Sequence, residues 1–287
     1  GDTVSLDTGA DISAVNGAGA GAGSALAADK LTLVSGASVT MTAAQNNSFD
    51  STVTAAGTET ITLSDASAAS GIAEVERYVL AAGAQSFTLG ASGQNVTLDS
   101  TGSSGSVAIS TGTLTSVTGT LDDGTGNDTI ALTLATTGVD ISSANTTDVD
   151  SIALASGVSA TMTTAQHALI TSAAGTNTVT LSNAGTVSAN AAVEGYVLAA
   201  AGNSAFTLGA TGKNITTGSA GSDTIVVGTL AATGTFNTVS GDTVSLDTGA
   251  DISAVNGAGA GAGSALAADK LTLVSGASVT MTAAQNN

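Results

Sequence analysis

The side chains of this chain that could do chemistry are few and scattered. Two carboxylate pairs, Asp122 with Asp123 and Asp148 with Asp150, have the residue type and closeness that general acid–base work needs. The one histidine, His167, sits in TTAQHALI with no nucleophile near it in sequence, and the one arginine, Arg77, lies beside Glu74 and Glu76. A histidine without a nucleophile to activate makes no triad, and an arginine flanked by two glutamates reads as a surface ion pair. A polysaccharide-degrading β-helix would need carboxylates gathered around Arg77 in a groove. Acidic loops account for the pairs more simply, so the expectation is a protein that is not an enzyme.

Two glycine-rich strings are better candidates for a binding role: DGTGNDTIA (Asp123–Ala131) and GSAGSDTIV (Gly218–Val226). Glycines permit a tight turn, an aspartate offers a carboxylate, and the aliphatic residue two places on can enter a core. Both strings resemble the nonapeptide of RTX, or haemolysin-type, calcium-binding repeats, G-G-x-G-x-D-x-U-x, in which U is a large aliphatic residue. The first departs from it with Asp123 at the first glycine, the second with Ser219 at the second. The resemblance implies calcium as the ion, Asp128 and Asp223 as ligands, and Ile130 and Ile225 as core residues. In that family calcium lies between turns stacked one rung apart. Asp223 and Asp242, separated by close to one rung, form the best such pair, and Asp2 is the equivalent of Asp242 in an earlier copy of the same sequence. Asn95 and Asn214 hold the ligand position in GASGQN and GATGKN, as uncharged and weaker ligands. Asp128 has a serine, Ser104 or Ser110, where its partner one rung back would be. Ordinary β-turns favour Gly, Asn and Asp for reasons unrelated to ions, and that alternative stays open.

Threonines at alternate positions are a third feature: Thr40 and Thr42, Thr58 with Thr60 and Thr62, Thr161 and Thr163, Thr176 with Thr178 and Thr180. On a strand such hydroxyls share a face, and regular stacking would make a flat array of the ice-binding kind. The triplets recur irregularly, which fits solvent-facing β-propensity better.

What must position these residues is a repeat. Gly1–Asn47 returns letter for letter as Gly241–Asn287, so the chain is one 240-residue period and the start of the next. Such identity implies recent tandem duplication and a segment of a longer array. Within the period LTLVSGASVTMTAAQ (Leu31–Gln45) is answered by IALASGVSATMTTAQ (Ile152–Gln166), VERYVLAAG (Val75–Gly83) by VEGYVLAAA (Val193–Ala201), and FTLGASGQN (Phe87–Asn95) by FTLGATGKN (Phe206–Asn214). We therefore divide the chain into half-unit one, residues 1–123, half-unit two, 124–240, and the start of the next period, 241–287. GAGAGAGS (Gly17–Ser24) has no counterpart in half-unit two and reads as a surface loop.

From Tyr78 to Ser104 three nine-residue strings follow one another, YVLAAGAQS, FTLGASGQN and VTLDSTGSS. Each opens with an alternating β-like triplet and ends in turn residues. IAEVERYVLAAG could also be helical, but its sister AAVEGYVLAAAG carries a central glycine, and strand is the preferred reading. Strand and turn at this spacing predict an all-β fold, a right-handed parallel β-solenoid or β-roll. Its rungs, of about 18 to 24 residues, would stack ~4.8 Å apart. Its core would be thin, built from Val, Leu, Ile and Ala and too narrow for large aromatics.

Composition agrees with a structural role. Aromatic residues are 2% of the chain, and proline, cysteine and tryptophan are absent. Four basic residues, Lys30, Arg77, Lys213 and Lys270, face 22 acidic ones for a net charge of −18. Phosphate contacts need a basic surface, so nucleic acid is excluded as a partner, and anionic membrane surfaces are disfavoured. No apolar run approaches the ~20 residues of a membrane span, and no charged-then-apolar leader opens the sequence. Acidic, cysteine-free, lysine-poor chains with RTX-like turns resemble S-layer proteins and giant adhesins. That resemblance implies an extracellular structural protein at a bacterial cell surface, a stiff rod whose partners are further copies of itself, end to end or side by side. As the extender of an adhesin, the same rod would carry a tip that meets cell-surface glycans or ice.

Overall fold

A computed structural model describes residues 2–17, 21–28, 30–49, 57–81, 83–99, 105–125, 128–257, 261, 263–268 and 270–286. The middle of GAGAGAGS, residues 18–20, and Ser104 lie outside them. The fold is all-β: short parallel strands stacked as a β-solenoid of about 10 turns, with little helix. The chain forms two compact units, Gly1–Ala153 and Leu154–Asn287.

In the first unit one sheet runs in the order Leu121–Asp122, Asn95–Asp99, Arg77–Ala81, Thr60–Leu63, Ser38–Met41, and a second runs Thr129–Leu134, Ser106–Ser110, Ala84–Thr88, Ala69–Ser70. The second unit repeats the plan. Ser159–Met162, Thr178–Leu181, Gly195–Val197, Asn214–Thr216, Ala231–Asn237 and Asp251–Gly257 form one sheet, and Thr186–Ser188, Ala205–Thr207, Thr224–Gly228, Thr243–Leu246 and Lys270–Leu273 the other. The nine-residue phase is explained by this arrangement. Tyr78 pairs with Val96 and Leu80 with Leu98, while the string between them, Phe87 onward, lies in the opposite sheet. Two nine-residue strings therefore make one rung. IAEVERYVLAAG contains the strand Arg77–Ala81, as its sister contains Gly195–Val197.

Rung length varies more widely than the sequence spacing predicts. The rung from Thr60 to its register partner Arg77 is shorter than the expected range, and the rung from Thr243 to its partner Lys270 is longer. The longer rung carries the GAGAGAGS insertion. One-turn helices also punctuate the sheets. Ala43–Asn46 and Thr164–His167 are each opened by a capping box in which Thr42 or Thr163 exchanges hydrogen bonds with the glutamine three positions on.

In each unit the core is a row of alternating side chains, Ile61 and Leu63 or Val96 and Leu98 in the first, Val179 and Leu181 or Val244 and Leu246 in the second, all 5% exposed or less. Burying each such side chain contributes about 1.5–3 kcal/mol. The expectation that large aromatics are excluded is overturned. Tyr78, Phe87, Tyr196, Phe206 and Phe236 are all buried, with ring centroids 4.8 Å apart for Tyr78 and Phe87 and 4.6 Å for Tyr196 and Phe206. One aromatic from each facing sheet fills the space that two aliphatic residues leave, and the tyrosine hydroxyls find polar partners at the corner of the rung.

Candidate cation-binding cluster

Aspartates gather at one place in the first unit. Asp122, Asp123 and Asp148, all half-buried, each offer a carboxylate oxygen within 4.8 Å of the others. Asp122 ends the strand Leu121–Asp122, where its Oδ1 accepts the Gly124 N–H at 2.8 Å and so shapes the turn. Asp148 lies on the turn before the next strand, and Asp150 Oδ2 there accepts the Ile130 N–H at 2.8 Å. Burial, and then the neighbouring carboxylates Asp148, Asp122, Asp150 and Asp128, push the Asp123 carboxyl above its usual value. Hard carboxylate oxygens at this spacing suit Ca²⁺ better than a soft transition metal.

Asp128 stands beside this group, 5% exposed. Its Oδ1 accepts the Gly105 N–H, and its Oδ2 is buried without a hydrogen-bond partner. Gly105, next to the expected Ser104, is thus the residue one rung back. Ile130 is fully buried, and so is Ile225, in the places the RTX resemblance implies. Residues 126 and 127 of the first nonapeptide lie outside the described residues.

The structure brings Asp223 and Asp242 together one rung apart, both 1% exposed, and gives their oxygens donors from the chain. Asp223 accepts the Ser204 N–H at 2.7 Å and the Gly218 N–H at 2.9 Å. Asp242 accepts the Asp223 N–H at 2.9 Å, the Val239 N–H at 2.8 Å and the Thr217 hydroxyl at 2.6 Å. The same rung-to-rung bond recurs with other acceptors. Glu76 takes the Glu59 N–H and Glu59 the Gly36 N–H; Glu194 takes the Asn177 N–H and Asn177 the Val158 N–H. Asn95 and Asn214, the weaker ligands of the sequence reading, accept the N–H groups of Thr120 and Thr235. These side chains satisfy backbone donors at corners where the sheet ladder breaks. Asp2 is exposed and joins neither group.

The remaining candidates fall into packing roles. His167, 6% exposed, sets Nε2 3.3 Å from the Tyr196 hydroxyl, and burial holds its imidazole below the usual value. Arg77 is exposed, with neighbouring Glu76 engaged by the Glu59 N–H. The threonine columns are short: Thr40 pairs with Thr62, which pairs with Val79; Thr161 pairs with Thr180, which pairs with Val197.

Sequence reasoning named the Asp122–Asp123 and Asp148–Asp150 pairs but did not join them. The signal was the offset: Thr120 bridges Asn145, so Asp122 and Asp148 fall at neighbouring turns once the local rung length is known. Comparison with known proteins yields no matching family model, no matching curated protein and no matching solved structure.

Proposed function

We propose that this chain is a structural, non-catalytic part of a large extracellular repeat protein of the RTX-like, S-layer or adhesin kind. In this reading stacked periods build a fibre, sheath or lattice at a bacterial cell surface, and Ca²⁺ ties some of the turns. One observation carries it. The identical segments at the two ends keep the same internal bonds against different neighbours. Gln45 Nε2 donates to the carbonyls of Ile12 and Val15 at 2.6 and 3.2 Å, and Gln285 Nε2 to those of Ile252 and Val255 at 2.7 and 3.2 Å. Thr42 and Thr282 donate alike to Gly23 and Gly263. These bonds are kept whichever neighbour the segment has, which favours one period following another in a nearest-neighbour array.

Calcium belongs to this reading through Asp122, Asp123 and Asp148, with the unpartnered oxygen of Asp128 beside them. The test is electron cryo-microscopy of the natively produced material, with calcium and after chelation. Ordered fibres or sheets with an axial repeat of ~4.8 Å are expected, loosening when calcium is removed. Separate short particles under both conditions would sink the reading.

A further inference from the structure

The two glycine-rich strings set an aspartate at the same place, just before the strands Thr129–Leu134 and Thr224–Gly228, and treat its second oxygen differently. In GSAGSDTIV the chain closes the Asp223 carboxylate. Its Oδ1 accepts the Ser204 N–H one rung back, and its Oδ2 accepts the N–H of Gly218, the first residue of its own string. In DGTGNDTIA the Asp128 Oδ1 accepts the Gly105 N–H in the same way, but the first residue of the string is Asp123, and Asp128 Oδ2 is buried without a hydrogen-bond partner. A buried carboxylate oxygen without a donor is costly unless something else meets it.

What stands where Gly218 stands in the other string is a group of further carboxylates. The oxygen that Gly218 answers at Asp223 is directed, at Asp128, toward Asp123, which lies with Asp122 and Asp148 within 4.8 Å, oxygen to oxygen. Asp128 is close enough for its charge to act on the Asp123 carboxyl, and no basic side chain offsets it there: burial and four carboxylates are what push that group up. Asp242 shows the opposite condition. Its Oδ1 takes the Asp223 N–H and its Oδ2 the Val239 N–H and the Thr217 hydroxyl, so both aspartates of that pair are engaged by donors of the chain. Glu59 Oε2 is also buried without a partner, but no group of three carboxylates forms around it among the described residues.

We infer that the two turns have parted in function: the corner of Asp122, Asp123, Asp128 and Asp148 takes a single divalent cation, with Asp128 Oδ2 among its ligands, and the Asp223–Asp242 turn takes none. Oxygens within 4.8 Å of one another can share one Ca²⁺, whose bonds of about 2.3–2.6 Å set opposite ligands at that separation. This departs from what the nonapeptide resemblance implies, since the pair that matches it best is the pair the chain has closed. The rungs at Asp223 and Asp242 hold their register without an ion, and removal of calcium loosens one corner only. The inference rests on the calcium part of the proposed function and confines the ion to one place.

Equilibrium dialysis of the full chain against Ca²⁺ at pH 7 tests it, in about 0.15 M salt to screen diffuse attraction to the net charge of −18. One ion per chain is expected. Asp128→Asn keeps an oxygen for the Gly105 N–H and removes the charge, and should weaken binding about tenfold or more, as should Asp148→Asn. Asp223→Asn and Thr217→Val should lower the melting midpoint and leave the affinity for the one ion within about twofold, because they lie at a separate turn. If circular dichroism shows that Asp223→Asn does not fold, Thr217→Val carries the comparison. Two ions per chain, or binding lost in folded Asp223→Asn and kept in Asp128→Asn, overturns the inference and leaves calcium in the proposed function. No ion bound to the folded parent chain overturns both.

Discussion

Tyr78 and Tyr196 occupy the same place in the two half-units and reach different partners. The Tyr78 hydroxyl accepts the Ile72 N–H at 2.8 Å and donates to Asn46 Oδ1 at 3.2 Å; the Tyr196 hydroxyl accepts the Asn190 N–H at 2.7 Å and faces His167 Nε2 at 3.3 Å. Next along each half-unit, Gln94 Nε2 donates to the carbonyls of Ile72 and Val75 at 2.6 and 2.8 Å. Its counterpart Lys213 puts Nζ 3.1, 2.8 and 2.5 Å from the carbonyls of Asn190, Ala191 and Val193. What is shared is a set of inward carbonyls at one corner of the rung and an aromatic hydroxyl. What varies is the donor that answers them, an amide in one half and an ammonium in the other. The backbone poses the requirement, and any long side chain with two N–H bonds meets it.

Lys213→Met should break this equivalence with the largest effect. It leaves the Asn190, Ala191 and Val193 carbonyls without their buried donor, at about 1–3 kcal/mol for each one left unsatisfied. Lys213→Gln, which writes the Gln94 solution into half-unit two, should stay within about 1 kcal/mol of the parent. Urea unfolding of the two variants side by side decides it, and equal losses would mean that the ammonium charge itself is needed. Burial pulls the Lys213 ammonium below its usual value against the attraction of Glu194, so the carbonyls serve as its solvent.

Tyr78→Phe and Tyr196→Phe should each lower stability by about 1–2 kcal/mol, because each strips an N–H, that of buried Ile72 or part-buried Asn190, of its acceptor. A loss at only one of the two sites would show that the half-units are less alike than their geometry.

His167→Asn should sharpen the comparison through pH. The folded state holds the imidazole below its usual value of 6.5, so the unfolded chain takes up the proton first. The contribution of the neutral ring is complete above that value and falls away as pH drops below it, with a slope of at most about 1.4 kcal/mol per pH unit. The His167→Asn chain, which carries the residue of half-unit one, should lose this acid sensitivity in thermal melts between pH 5 and pH 8.

The smallest effect concerns the corner where Asp122 and Asp123 of half-unit one meet Asp148 of half-unit two. The Asp123 carboxyl is pushed up, so its charge opposes folding: the penalty is absent below the usual carboxylate value, grows above it and is complete once pH has risen through the folded value. Calcium should therefore raise the melting midpoint at pH 7 by about 2–4 °C, and the gain should vanish in acid. Asp123→Asn should melt higher than the parent without calcium and gain nothing from it.

Much of the fold was legible because strand and turn alternate within nine residues from Tyr78 to Ser104, and that phase is half a rung. Elsewhere the phase dissolves, since the rung from Thr60 to Arg77 is short and the one from Thr243 to Lys270 is lengthened by a longer second strand, Asp251–Gly257, and by the GAGAGAGS insertion. The helical turns after Thr42 and Thr163 were readable and missed: each threonine is followed three positions on by glutamine, which spells a capping box. Buried aromatics were misjudged because composition counts residues and not places. Six Phe and Tyr in the chain suffice to fill alternate corners of a few rungs. The pairing of Asp223 with Asp242 was legible from their spacing, whereas the gathering of Asp122, Asp123 and Asp148 needed the local rung length, which only the fold supplies.

The duplicated 47-residue tract bears also on the gene. Where two identical stretches encode segments that accept either neighbour, unequal crossing-over between them adds or deletes one 240-residue period and leaves every junction in a sequence context it already has. No new packing has to be invented at the seam. The length of such a protein can drift between generations without a penalty in folding, so selection can set reach without altering sequence.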